Sequence, residues 1–212
     1  MEQDLTVKTI QTYNSIASEY EKKSFHLDAA IDVEKFIKLL SPGGKILDAG
    51  CGYGRELRIF IDHGFEAQGI DMSTGLLALA KKRNPYVNIQ EMDVRNLRFE
   101  DCFFDAIWCR AVLHHLPRED TPKVLLEFGR ILKPGGVLFV HCRKGTGHIV
   151  LKENLSSGQE RLFTQFSEEG LKENVQTAGF TVLEDYSYNE RERYGEGRSD
   201  ANFVAVIAKK ID

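Results

Sequence analysis

The chain has 212 residues, 42% of them hydrophobic, and a formal net charge of -4. That length and apolar content suit one well-buried core and a single domain, and the acidic balance argues against broad binding to a phosphate backbone, although a local basic patch would still suit RNA. Four cysteines, at 51, 102, 109 and 142, form no C-x-x-C pair, which excludes the usual zinc and disulfide patterns, leaves reduced thiols, and gives no reason to expect a metal.

The polar, acidic start lacks the apolar stretch of a signal peptide, and no apolar run approaches the ~20 residues that span a bilayer. A cytoplasmic protein without a membrane partner is expected. Residues 5–22 and 28–40 carry apolar side chains at helical spacing, and the Ser41-Pro42-Gly43-Gly44 turn stops the second helix. Strand and helix patterns then alternate: strand 45–49, helix 55–63, strand 66–70, a helix capped by Ser73 and ending near Arg83, and strands 87–92 and 104–109. A helix through Val124, Phe128 and Leu132 stops at Lys133-Pro134-Gly135-Gly136, and strand 137–141 follows. Residues 143–160 are polar and rich in Gly and Ser, and are expected to be a loop. Ser167 caps a further helix that stops at Gly179. Strands 180–188 and 202–208 have no crossover helix between them and should pair as an antiparallel hairpin joined by the charged segment 189–200. The alternation predicts an α/β fold: a three-layer, helix-covered sheet of about seven mostly parallel strands with one antiparallel edge element.

The most informative stretch is 46–55, Ile-Leu-Asp-Ala-Gly-Cys-Gly-Tyr-Gly-Arg. A buried strand runs into a turn with glycine at every second position, the place where doubly wound folds hold nucleotide-like ligands. A dinucleotide fold would put its third glycine where Arg55 stands. Asp48 would repel a pyrophosphate but suits a ligand with an ammonium group. Asp71, at the end of the second strand, is placed to accept hydrogen bonds from a ribose diol, and Asp93 with the Val94 N–H is placed to read an adenine edge. Each has a plainer alternative: a helix-capping aspartate for Asp71, an exposed turn for Asp93.

Five pieces in this order resemble the class I S-adenosylmethionine-dependent methyltransferases: residues 46–55, Gly69-Ile70-Asp71-Met72-Ser73, Glu91-Met92-Asp93-Val94, the run from Phe104 to Leu116, and Leu132-Lys133-Pro134-Gly135-Gly136-Val137-Leu138. The resemblance implies a Rossmann-like domain over 41–212, with residues 1–40 as a helical lid of the same domain. It also implies S-adenosylmethionine as cofactor, with S-adenosylhomocysteine as product. Asp48, Gly50, Cys51, Gly52 and Arg55 would line its methionine and ribose end. Asp71 and Met72 would take the ribose, Asp93 and Val94 the adenine, and the backbone near Cys109 and Arg110 the methionine. Tyr20, with Tyr13 as second choice, would cover the cofactor from the lid.

A sulfonium methyl needs mainly alignment with its acceptor. A base is required only if the acceptor must lose a proton. His114 and His115 are the candidate bases, and His141 and Arg143 candidate acceptor-binding groups. Core packing is the plainer role for the first pair, and a solvated loop for Arg143. A small-molecule acceptor is favoured; tRNA of the wobble-uridine type is the alternative, DNA is not expected, and a non-catalytic S-adenosylmethionine-binding protein or a nucleotide-dependent oxidoreductase are the competing classes.

Overall fold

The computed structural model describes residues 2–25, 29–196 and 199–211. Residue 28, the expected start of the second helix, and residues 197–198 of the 189–200 segment lie outside them. Two helices, α1 (Glu2–Ser24) and α2 (Ala30–Ile37), precede β1 (Lys45–Ala49), α3 (Arg55–Asp62), β2 (Glu66–Asp71), α4 (Thr74–Arg83), β3 (Ile89–Glu91) and β4 (Phe104–Arg110). Then come α5 (Thr121–Ile131), β5 (Leu132–Arg143), β6 (His148–Lys152), β7 (Glu160–Thr164), α6 (Glu168–Thr177), β8 (Phe180–Asn189), α7 (Glu190–Tyr194) and β9 (Asn202–Lys210).

Seven strands form one sheet in the order β3-β2-β1-β4-β5-β9-β8. The first five are parallel, and β9 runs antiparallel to both β5 and β8. The reversed strand is thus held inside the terminal hairpin. Alternation along each strand loads both faces of the sheet. On β4, Ile107 and Cys109 join the core under α5, with Leu125 and Phe128. Ala106 and Trp108 join the opposite layer, with Phe36 of α2 and Phe60 of α3. Trp108 stacks on Phe139 with centroids 3.9 Å apart and planes 9° apart. Each such fully buried large side chain contributes about 1.5–3 kcal/mol of transfer free energy.

Local signals decide the ends of the elements. The Ser73 hydroxyl accepts from Leu76 N and starts α4 where expected; Ser167 does the same for Gly170 N and α6. The Lys133–Gly136 stop does end α5, but the backbone stays paired with β4 on both sides of it. Phe104 faces Leu132 and Ala106 faces Val137, so the four residues bulge out of the ladder and β5 begins at Leu132. The third strand is shorter than expected, and α1 is longer at both ends.

The expectation of a loop over 143–160 is corrected. His148–Lys152 and Glu160–Thr164 form a separate two-stranded antiparallel sheet, with a single 3₁₀ turn at Asn154–Ser156 between them. Ile149-Val150-Leu151 was the local signal, a short β-branched run outweighed by its Gly- and Ser-rich surroundings. The outer edge of β7 is covered by α1. Thr9 Oγ1 accepts from Leu162 N (2.9 Å), Thr12 Oγ1 donates to Glu160 O (3.0 Å), and Thr6 Oγ1 donates to His115 O (3.0 Å). Threonines three residues apart therefore form one hydroxyl stripe: Thr9 and Thr12 meet a strand edge that would otherwise be unpaired, and Thr6 meets the turn that carries His115. Among the described residues, no helix is long and apolar enough to cross a membrane.

Candidate functional site

The order of strand connections reverses at β1, between β2 and β4, which opens a crevice at the carboxyl end of the sheet. The turn after β1 occupies it. Gly50 N and Cys51 N both donate to Ile70 O (2.8 and 2.9 Å), tying the turn to β2. Gly50 has φ +88, and a Cβ there would lie 2.0 Å from Val112 Cγ2, so no other residue fits. Gly52 has φ +53 and faces open space, leaving its backbone bare toward the cavity.

That cavity encloses about 850 Å³, including space open to solvent. Gly50, Gly52, Asp71, Met72, Asp93, Val94 and Arg110 line it, roofed by Tyr13 and Tyr20 of α1. Asp71 is fixed by two backbone donors: Gly52 N to Oδ2 (2.9 Å) and Ser73 N to Oδ1 (2.8 Å). Burial raises its carboxyl above the usual range against those bonds. Each oxygen keeps a second lone pair for a ligand hydroxyl. Asp93 is gripped by Arg95, whose Nε lies 3.0 Å from both carboxylate oxygens, and Arg95 also reaches Asp120 Oδ2 (2.8 Å). Burial pushes Asp93 up, but the Arg95 bonds outweigh it and hold the group below its ordinary value.

Asp48, Cys51 and Arg55 lie behind the glycine turn in a smaller pocket that shares Tyr20, Gly50, Gly52 and Arg110 with the first. Asp48 is 2% exposed and its Oδ2 has no hydrogen-bond partner. Burial, reinforced by the nearby Glu56 and Asp71 carboxylates, pushes its pKa well above the usual carboxylate value. A buried carboxylate oxygen without a donor is costly, and a ligand ammonium would relieve it. Together with the bare Gly52 backbone and the fixed Asp71, this fits the methionine and ribose ends of an adenosyl ligand. Cys51 is a buried thiol raised by its apolar surroundings. The Cys109 side chain points away into the α5 core, so only its backbone is near the crevice.

A second, wider cavity of about 1580 Å³, again counting space open to solvent, abuts the first and shares Tyr13, Tyr20, Arg110, Ala111 and His115 with it. It brings together the sequence candidates His114, His115, His141 and Arg143. Arg143 N donates to His114 Nδ1 (3.0 Å). His115 Nδ1 donates to Leu162 O (2.6 Å), and its Nε2, 3.0 Å from the Tyr13 hydroxyl, is left to accept from it. Burial lowers both histidines, His115 to about 3, helped by the Arg161 guanidinium. His141 Nε2 lies 3.0 Å from the Tyr188 hydroxyl, while its buried Nδ1 has no partner. Burial, with Arg110 and Arg193 nearby, lowers His141 too.

The sequence reading missed three residues of this wall. Arg161, 3% exposed, donates to the Tyr13 hydroxyl (2.7 Å) and to Glu153 Oε2 (2.6 Å), and Arg143 Nη1 reaches Glu153 Oε1 at 2.8 Å. Phe163 lies under both guanidiniums, 4.9 Å from Arg143 and 5.1 Å from Arg161. Glu153 falls within the segment expected to be a loop, and Arg161 and Phe163 lie on the strand that follows it. Among the described residues, no group of three or more His, Cys, Asp or Glu side chains is placed to hold a metal ion.

Residues 47–140 match the family model described as a methyltransferase domain. The chain is 28% identical over 148 residues to a ubiquinone biosynthesis O-methyltransferase of Coxiella burnetii, covering 65% of this chain and 62% of that one. It is also 28% identical over 163 residues to an uncharacterised Haemophilus influenzae protein, covering 70% and 65%. The chain thus spans less than two thirds of the length of these curated relatives. Its fold superposes with a TM-score of 0.73 on 1,6-didemethyltoxoflavin-N1-methyltransferase of Burkholderia thailandensis, solved with bound 1,6-didemethyltoxoflavin and S-adenosylhomocysteine; identity is 19%, over 96% of this chain and 88% of that one. At that identity the likeness is one of fold. The match over 47–140 falls on the glycine turn, the Asp71 and Asp93 positions and the strand that leads to His141; over these residues the chain is similar to a methyltransferase domain, and its fold is that of S-adenosylmethionine-dependent methyltransferases.

Proposed function

We propose that this protein transfers a methyl group from S-adenosylmethionine to a small-molecule acceptor. The observation that carries the reading is the pair of abutting cavities, joined at Tyr13, Tyr20, Arg110, Ala111 and His115. One has the groups for an adenosyl ligand; the other is a separate chamber beside it. When bound, S-adenosylmethionine supplies an activated methyl that passes to the acceptor's lone pair as the carbon–sulfur bond breaks, leaving S-adenosylhomocysteine.

The protein's part is to hold, orient and dry the reactants. Asp71 takes the ribose hydroxyls, Asp48 the ammonium, and the Val94 backbone with Asp93 the adenine edge; Met72 and the backbone of Gly50, Gly52 and Cys109 complete the seat. Tyr20 and Tyr13 close the roof and exclude water. Arg55 and Arg110 position Glu56 and the turn from behind. In the acceptor chamber, both His115 nitrogens are committed, and His114 Nδ1 serves the Arg143 amide, so these rings build the wall. His141 keeps a bare Nδ1, but that atom is buried and burial holds the ring well below the ordinary imidazole value, so it too belongs to the wall rather than serving as a base. A tRNA substrate is less well supported, because the cations of the chamber are inside it rather than along an exposed track.

The reading is tested by thermal unfolding with S-adenosylhomocysteine. A ligand that binds only the native state at about 100 times its Kd stabilises it by about 2.7 kcal/mol. Asp71→Ala should remove most of that shift. A shift with NAD and none with S-adenosylhomocysteine overturns the donor assignment. A radiolabelled methyl-transfer screen of cell extract, with and without RNase, tests the acceptor class: label lost on RNase treatment means tRNA.

A further inference from the structure

Resting on that reading, we infer that the second cavity recognises a small planar acid, whose carboxylate takes the place Glu153 now holds between Arg143 and Arg161. The inference starts from a shortage of anionic oxygen. Three guanidiniums, Arg110, Arg143 and Arg161, converge on the chamber, where the lining carboxylates are Glu153 and Glu190, the latter engaged by Ser199. Glu153 alone serves two of them, one oxygen each, at 2.8 and 2.6 Å. Arg110 stands 4.0 Å from Glu56, which Arg55 already engages. The Nε atoms of Arg110 and Arg161 are buried and have no partner. Buried guanidinium donors left open are costly, and a bidentate anion satisfies them best.

Glu153 also caps the Asn154–Ser156 turn with its side chain, so giving way costs that cap but leaves the main sheet untouched. It sits at the head of the single turn Asn154–Ser156, outside the main sheet, whereas Arg143 ends a central strand and Arg161 lies on β7 beneath α1. The chamber's flat walls select for shape. The Phe163 ring lies 5.2 and 4.9 Å from the His114 and His115 rings. On another side, Phe203 stacks on His141 at 4.8 Å and 17°. A planar ring slides between such faces, and its carboxylate then meets the cations beyond Phe163. Arg161 is 3% exposed, so the recognised anion must enter the cavity, which a nucleic-acid backbone lying on the surface does not do.

The test is calorimetric titration with planar aromatic carboxylates, each paired with its carboxamide: benzoate, 4-hydroxybenzoate, anthranilate and quinoline-2-carboxylate. Titrations are run on the protein alone and on protein saturated with S-adenosylhomocysteine, whose own binding is measured first. Because a charge-assisted, bidentate contact is roughly twice as strong as a neutral one, the best acid should bind at least ~10-fold tighter than its amide. Glu153→Gln keeps the side chain's size and releases both guanidiniums; it should tighten the acids several-fold and leave the amides unchanged. Arg143→Gln should erase the preference for acids. If no acid outbinds its amide, or Glu153→Gln leaves acid affinity where it was, the inference is wrong. Phenyl phosphate binding tighter than benzoate would overturn the choice of carboxylate. Failure of S-adenosylhomocysteine to bind sinks the donor assignment alone, since the acid-to-amide ratio on the protein by itself stands apart from it.

Discussion

Acid should unfold this protein through its buried histidines, and His114 offers the cleanest way to measure it. The ring is 2% exposed; burial first, then His115, His141 and the Arg143 and Arg161 guanidiniums, hold it well below the ordinary imidazole value. In the unfolded chain it titrates near 6.5, so below that pH the unfolded state gains a proton that the folded state refuses. The sign follows: the contribution to stability is complete above about pH 6.5 and is lost as pH falls toward the depressed folded value. One such ring costs about 1.4 kcal/mol per pH unit below that point, hence about 1.4 kcal/mol between pH 7.5 and 5.5. His115 and His141 are lowered as well, so the three together reach a slope of up to ~4 kcal/mol per unit, against a total stability of about 5–15 kcal/mol. Asp48 and Asp71, both raised by burial, work the other way: their contribution is full at low pH and is lost as pH rises through their folded values. His114→Asn isolates the single ring, since its amide oxygen stands where Nδ1 did and can still accept from Arg143 N, and both aspartates remain. Urea unfolding of the two proteins at pH 7.5 and 5.5 is the assay. The variant should lose about 1.4 kcal/mol less than the parent over that interval. Parallel losses would refute the assignment of a buried, neutral His114.

Three other substitutions probe separate parts of the fold. Gly50→Ala places a Cβ 2.0 Å from Val112 Cγ2 at φ +88; it should cost at least ~2 kcal/mol by urea unfolding and abolish the S-adenosylhomocysteine thermal shift. Arg193→Ala strips the fully buried Asp32 of its 2.6 Å partner while Asp32 Oδ2 is already bare, so a loss of about 3–5 kcal/mol is expected, well above that for Asp32→Asn. Thr9→Val leaves Leu162 N–H without its acceptor. A loss of about 1–3 kcal/mol should appear in urea unfolding, with faster amide exchange at Leu162 as its local signature.

The sheet was legible because its signals are local. Ser73 and Ser167 mark their helices through their own hydroxyls, and the apolar strands 45–49 and 104–109 alternate sides as burial requires. Asp71 and the glycines were legible for the same reason, since a positive φ and a strand-end carboxylate are properties of single positions. The acceptor wall was not. Arg161, Glu153 and Phe163 gain meaning only when β7 packs against α1 and the 3₁₀ turn of Leu113–His115, contacts between residues more than forty positions apart. His115 shows the same limit from the other side. Its place after β4 was visible, but the Leu162 and Tyr13 partners that occupy both nitrogens were not.

The threonine stripe on α1 has a consequence for both cavities. The helix that roofs the donor cavity with Tyr13 and Tyr20 also holds β7, and with it Arg161, through Thr9 and Thr12. If α1 lifts to admit the donor, it takes one side of the neighbouring chamber with it. The roof of one cavity and the wall of the other are thus a single mechanical unit, and a substitution that loosens Thr9 or Thr12 should disturb ligand binding in both.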